Sequence, residues 1–147
     1  MQYCLVQLSC PRNKLDQILL LQKKAVRICT RSSYLSHTNP LFHRLKILKV
    51  HDINTMHTAI FMFKYNNKLL PRLFNDFFSL NKTFHSYPTR RSNDFHLDNP
   101  RTLQAQRTLR HHGPDVWNTL PDSVKRLTTL YTIKRKLKEV FLQQYTE

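Results

Sequence analysis

Apolar residues recur at helical spacing through residues 14 to 30. Leu15, Ile18, Leu19, Ala25, Val26 and Cys29 share one side, Gln22 is the one polar interruption, and Asn13 is placed to cap the start. Asn39-Pro40 is a start signal, Asn as N-cap and Pro at the first helical position, for a short helix to about Leu45. Another helix is predicted from Asp52. Between Ile53 and Tyr65 its second half is apolar nearly all round, the pattern of a buried central helix, with His57 on the core-facing side. Asn66-Asn67 ends it, and Pro71 opens a short helix, Arg72 to Phe78, rich in aromatic bulk.

Residues 81 to 101 are polar, hold Pro88 and Pro100, and have no helical period, which predicts an extended, partly irregular segment. Leu103, Ala105, Arg107 and Leu109 alternate with polar neighbours and predict a short strand. Gly113-Pro114 reads as a turn, Asp115 to Leu120 as a short helix carrying Trp117, and Pro121 as the start of another to about Leu127. The last helix runs from about Leu130 to Gln144, capped by Thr129. Its narrow apolar stripe is Leu130, Ile133, Leu137, Val140 and Phe141. The expected fold class is therefore mainly α. One small domain spans 1–147, with a helical half (14–78), an extended basic segment (81–111) holding one short strand or β-hairpin, and C-terminal helices (113–144).

Composition sharpens this. In 147 residues there are 24 Lys and Arg against nine Asp and Glu, a formal charge of +15. A small domain this basic attracts polyanions, nucleic acid first and anionic membrane second. The single glycine, where average usage gives about 10, excludes mechanisms that run on glycine-rich phosphate loops. The longest apolar run, Ala59 to Phe63, is far short of the roughly 18 residues of a membrane span. The N-terminus makes a poor signal peptide, and Cys4, Cys10 and Cys29 lack metal-site spacing, so free thiols in an intracellular compartment are expected.

Catalytic constellations are missing from the pattern. The acidic residues are scattered. Asp94 and Asp98, the nearest pair, lie in a polar segment and make a poor metal site. No nucleophile elbow, zinc-protease motif or P-loop occurs, so neither a cofactor, a metal, a catalytic residue nor a small-molecule substrate is expected.

The basic residues are the candidate site. Lys23, Lys24, Arg27 and Arg31 form a stripe on the first helix; Arg90 and Arg91 lie in the extended segment; Arg107 and Arg110 follow; Lys134, Arg135 and Lys138 mark the last helix. Each such face reads either as a phosphate-binding stripe or as the wet side of a core helix. His111-His112 reads as a basic surface pair able to meet phosphate. Tyr87 and Phe95 read as base-stacking rings or as local packing, and Trp117 as packed core between Val116 and Leu120, or else as a stacking platform.

Several segments, in order, resemble one family. LQKKAVRI (21–28) is similar to the "LQK(K/R)A(I/V)R-I" segment of reverse transcriptases from non-LTR (LINE-type, jockey/CR1-like) retrotransposons. SHTNPLF (36–42) resembles the family's "(S/A)H-x-x-PLF", LKIL (45–48) its "L-x-I-L", and FKYNNKLLP (63–71) its "(Y/F)KY-x-N-x-LLP". HSYPTR (85–90) resembles "H-x-Y-x-TR", GPDVWNTLP (113–121) "GP-x-(I/V)WN-x-LP", and residues 130–137 "LYSFKRKL". Tyr3 to Val6 resembles the tail of "Y-x-x-x-x-WG", with Gln7-Leu8 in place of Trp-Gly, as in a diverged start or a truncated reading frame. The resemblance covers about residues 3 to 142. It implies the C-terminal, post-thumb region of an RNA-directed DNA polymerase, whose catalytic aspartate pair lies upstream and is missing here, as is a C-terminal zinc knuckle. The implied partners are template RNA, target DNA and the polymerase core; the implied location is nuclear. A docking appendage and a remnant of a decayed element are the alternative readings. Gly113 would then sit in a turn that needs positive φ.

Overall fold

The computed structural model describes residues 12–84 and 90–146. Tyr3, Cys4, Cys10 and the ring of Tyr87 lie outside them. The protein is mainly helical. Among the described residues seven α-helices occur: α1 (Arg12–Cys29), α2 (Asn39–Leu45), α3 (Val50–Asn66), α4 (Leu103–Gln106), α5 (Leu109–Thr119), α6 (Asp122–Lys125) and α7 (Leu130–Gln143). Short 3-10 turns occupy Arg72–Phe74 and Asn81–Thr83.

The described residues divide into two compact units, one holding 57–84 and 90–126 and the other 12–56 and 127–146. The divisions fall inside α3 and after α6.

In the 12–56/127–146 unit, α2 packs against both α1 and α7. The core-facing side of α1 is narrower than its sequence suggests. Val26 is buried and Leu15 and Leu19 half-buried, but Ile18, Ala25 and Cys29 are exposed, as are Leu21 and Ile28. Gln22 faces inward for a reason of its own. Its Nε2 donates to the Leu48 carbonyl at 2.7 Å, and its Oε1 accepts from the Val50 N–H at 3.0 Å. One amide thus serves a helix-start N–H that α3 leaves without an intrahelical partner. Asn13 lies within α1 and does not cap it; its Oδ1 accepts from the next N–H at 2.9 Å. The cap of α2 is Thr38, one residue before the Asn39 expected, with Pro40 inside the first turn. On α7 the cap is Thr129, whose Oγ1 accepts from the Thr132 N–H, and Ile133, Leu137 and Phe141 are buried.

The 57–126 unit is built on the second half of α3, where Thr58 to Phe63 are all buried. An aromatic cluster adjoins it. Tyr65 meets Phe78 edge-on at 4.8 Å and Phe95 at 5.7 Å, and its hydroxyl stands 2.8 Å from the carbonyl oxygens of Asn75 and Phe78. Buried Phe95 is therefore packing and offers no base-stacking face. The Asn118 side chain clamps the Phe95 backbone at both ends, Nδ2 donating to its carbonyl at 2.8 Å and Oδ1 accepting from its N–H at 3.1 Å.

Three expectations fail here. No strand forms over 103–109: α4 and the start of α5 replace it, because Thr102 caps α4 by accepting from the Ala105 N–H and the alternation is too short to outweigh local helix formation. Between the helices the described residues hold only an isolated antiparallel bridge, Leu80 to Phe95. Finally, Gly113-Pro114 is no turn. Both lie inside α5, with Pro114 in its middle, and no glycine has positive φ. Gly113 is small because it must be: a Cβ there would stand 2.8 Å from Met62 Sδ and 3.3 Å from Phe78 Cζ.

Positive φ falls elsewhere, on Arg31, Lys46 and Lys68 (51°, 53° and 54°). Each follows the end of a helix in the same way. The residue after Arg31 donates to the Arg27 carbonyl while Arg31 donates to Ile28, and matching pairs close α2 and α3. This is the Schellman pattern, with a cation standing where glycine is usual. The cation faces the negative end of the helix dipole, which offsets part of the backbone cost.

Candidate nucleic-acid interface

The last turn of α1 and the Schellman turn after it shape an open cleft of about 620 Å³ lined by Lys24, Arg27, Ile28, Arg31, Ser32 and Tyr34. Three residues of the predicted stripe meet here. The fourth, Lys23, is half-buried and does not line the cleft. Burial holds the Lys49 ammonium below its usual range; the nearby Asp52 opposes this and Lys23 adds a smaller repulsion.

Arg27 is committed to structure. Its Nε and Nη2 both donate to the Ser36 carbonyl, at 3.2 and 3.1 Å, and its Cζ stands 5.7 Å from the centroid of the Tyr34 ring. Ser32 is fixed through its hydroxyl, 2.8 Å from that of Thr30, which itself donates to the Val26 carbonyl. Lys24 and Arg31 are exposed, and no carboxylate among the described residues pairs with them. This unit holds thirteen of the 24 Lys and Arg but, besides the C-terminal Glu147, only three of the acidic residues.

On α7 the predicted Lys134, Arg135 and Lys138 are exposed on one face with Tyr131, itself 73% exposed. Arg135 stands 5.9 Å from the Tyr131 ring centroid and 3.8 Å from Glu139, a surface pair worth little.

In the other unit the predicted cations sit among acids. Arg110 faces Asp98 at 3.5 Å. Arg91 lines a cleft of about 500 Å³ together with Asp94 and Asp115, whose charge opposes phosphate there. Arg90 and Arg107 are exposed, Arg107 at the end of α4 and not on a strand. Asp94 and Asp98 are each within 3.8 Å of a basic side chain, Lys125 for one and His96 for the other. Among the described residues no three His, Cys, Asp or Glu are grouped to hold a metal ion, and no helix is long and apolar enough to cross a membrane.

His111 and His112 are half-buried, not a surface pair. His111 Nδ1 donates to the Gln106 carbonyl at 3.1 Å, and burial holds the His112 imidazole below its usual value. Trp117 is buried and offers no stacking platform.

Sequence reasoning missed Tyr34 and Tyr131, the two exposed rings beside the cations. The signal was present for Tyr131, four residues before Arg135 on the helix. For Tyr34 it was not, because a turn of irregular backbone brings the ring back over Arg27. Comparisons of the chain with protein families, with curated proteins and with solved structures find no match.

Proposed function

We propose that the chain is a nucleic-acid-binding module with no catalytic activity of its own, related to the post-thumb region of non-LTR retrotransposon reverse transcriptases. It engages template RNA or target DNA through phosphates, without reading base sequence, in a nuclear setting. The observation that supports this best is the Lys24/Arg27/Arg31 cleft with Tyr34 on its wall, in a unit whose thirteen Lys and Arg outnumber its four acidic residues, the C-terminal Glu147 included. Cations free of carboxylate partners keep their attraction for phosphate and release counterions on binding.

The test is fluorescence anisotropy of labelled RNA and duplex DNA across salt concentrations. About two phosphate contacts in the cleft, at Lys24 and Arg31, give a log K against log[salt] slope of about −1.4 for a single strand and about −1.8 for duplex, steeper if the α7 face joins. Absence of binding at 50 mM salt, on the order of the low end of such titrations, would remove the proposal.

A second reading is favoured by a separate observation. Ile18, Leu21, Ala25 and Ile28 form an exposed apolar stripe along α1, suited to an appendage that docks on a polymerase core. Tight binding to such a core without any binding to nucleic acid would put this reading in place of the first.

A further inference from the structure

The cleft carries more than charge. Tyr34 is 74% exposed, with Arg27 over its ring. That guanidinium is tied to the Ser36 carbonyl, so it holds the ring in place instead of following a ligand. An arginine occupies one face of a ring only, and the remaining exposure of Tyr34 leaves the ring open to a partner. Ile28, 77% exposed, adds apolar surface to the same cleft.

A phosphate gains nothing from an open ring or an isoleucine. In a duplex the bases stack on one another and present only their edges, while an unpaired base offers a whole π-face. Charges alone would hold both forms; the ring discriminates. The cleft is open and about 620 Å³, room for one base with its sugar.

We infer that this cleft binds single-stranded nucleic acid, seating one unpaired base against Tyr34 and Ile28 with the adjoining phosphate on Lys24 and Arg31. The inference rests on the nucleic-acid reading above and narrows it to the unpaired strand.

The experiment uses the full chain, a fluorescein-labelled oligo-uridine and a blunt duplex DNA. The variants are Tyr34→Ala, Tyr34→Phe and Lys24→Ala, all at exposed positions. Tyr34→Ala is expected to weaken the single strand about tenfold and to leave duplex binding within about twofold, the scale of one lost base–aromatic stack. Tyr34→Phe should retain single-strand affinity, since the ring and not the hydroxyl does the stacking. Lys24→Ala should weaken both probes and flatten both salt slopes by about one unit or less. If Tyr34→Ala changes neither probe, or both equally, while Lys24→Ala weakens both, the stacking inference is overturned and the nucleic-acid reading stands. If the unaltered chain binds neither probe at low salt, both fall.

Discussion

The Arg27 guanidinium and the Ser36 carbonyl are joined by a two-pronged contact, Nε at 3.2 Å and Nη2 at 3.1 Å, that folds the turn after α1 back onto the helix. The turn carries Tyr34, so this arginine holds the ring of the cleft while Lys24 and Arg31 supply its unpaired charge. A lysine keeps the charge and loses the fork. Arg27→Lys is expected to cost about 1 kcal/mol in urea unfolding and to speed amide exchange across residues 32–38. Unchanged stability together with unchanged exchange there would show that the fork does not hold the turn.

Tyr145 closes the same unit from the far end of the chain. Its hydroxyl donates to the Asp52 carboxylate and accepts from the Lys49 N–H at 3.0 Å, and its ring meets Phe42 edge-on at 6.2 Å. The Lys49 ammonium lies 4.2 Å from the ring centroid. Burial and the Asp52 hydrogen bond both push the phenol well above its usual value, so it remains a donor across the working pH range. Tyr145→Phe keeps the ring and strands a backbone donor and a carboxylate. The expected loss is about 1 to 3 kcal/mol, read as a lower urea midpoint with unchanged slope. A change below about 0.5 kcal/mol would mean that water replaces the hydroxyl without cost.

These contacts mark what the sequence could and could not announce. The helical stripes of α3 and α7 were legible because burial follows a period: residues 59–63 and Ile133, Leu137 and Phe141 are where the pattern puts them. The apolar side of α1 misled because two apolar faces are present and only one is covered; Gln22, which looks like a flaw, belongs to the covered face. The strand over 103–109 rested on a few alternating residues that a capped helix turn fits as well. Lys24, Arg27 and Arg31 were legible as a stripe, but Tyr34 and Tyr145 join their partners through turns and long separations that no local period encodes.

Gly113 tests a reading that changed its physical basis. Its φ is ordinary, so the constraint is space, against Met62 Sδ at 2.8 Å from a built Cβ. Alanine gains about 1 kcal/mol of helix propensity and pays for overpacking against a fully buried neighbour. Gly113→Ala is expected to destabilise by up to about 2 kcal/mol net. In a double-mutant cycle with Met62→Ala the penalty of the alanine at 113 should shrink or vanish, because the opposing sulfur is gone. Strict additivity, or a stabilising Gly113→Ala, would remove the close approach as the reason for glycine.

His112 sets a pH dependence whose sign follows from its surroundings. Burial holds its imidazole below the ordinary 6.5, the Asp115 carboxylate opposes this, and His111 adds to it. The unfolded chain therefore takes up a proton at a pH where the folded chain still refuses it. Unfolding is coupled to proton uptake, so this contribution to stability is whole above about pH 6.5 and is lost as pH falls below it. The free energy of unfolding should decline with acidification from neutral pH in urea titrations at fixed salt. His112→Gln, which cannot titrate, should decline less steeply over the same interval, whatever its stability at neutral pH. Equal slopes would assign the acid sensitivity to other groups, and a steeper slope in the variant would mean that folding favours the charged imidazole after all.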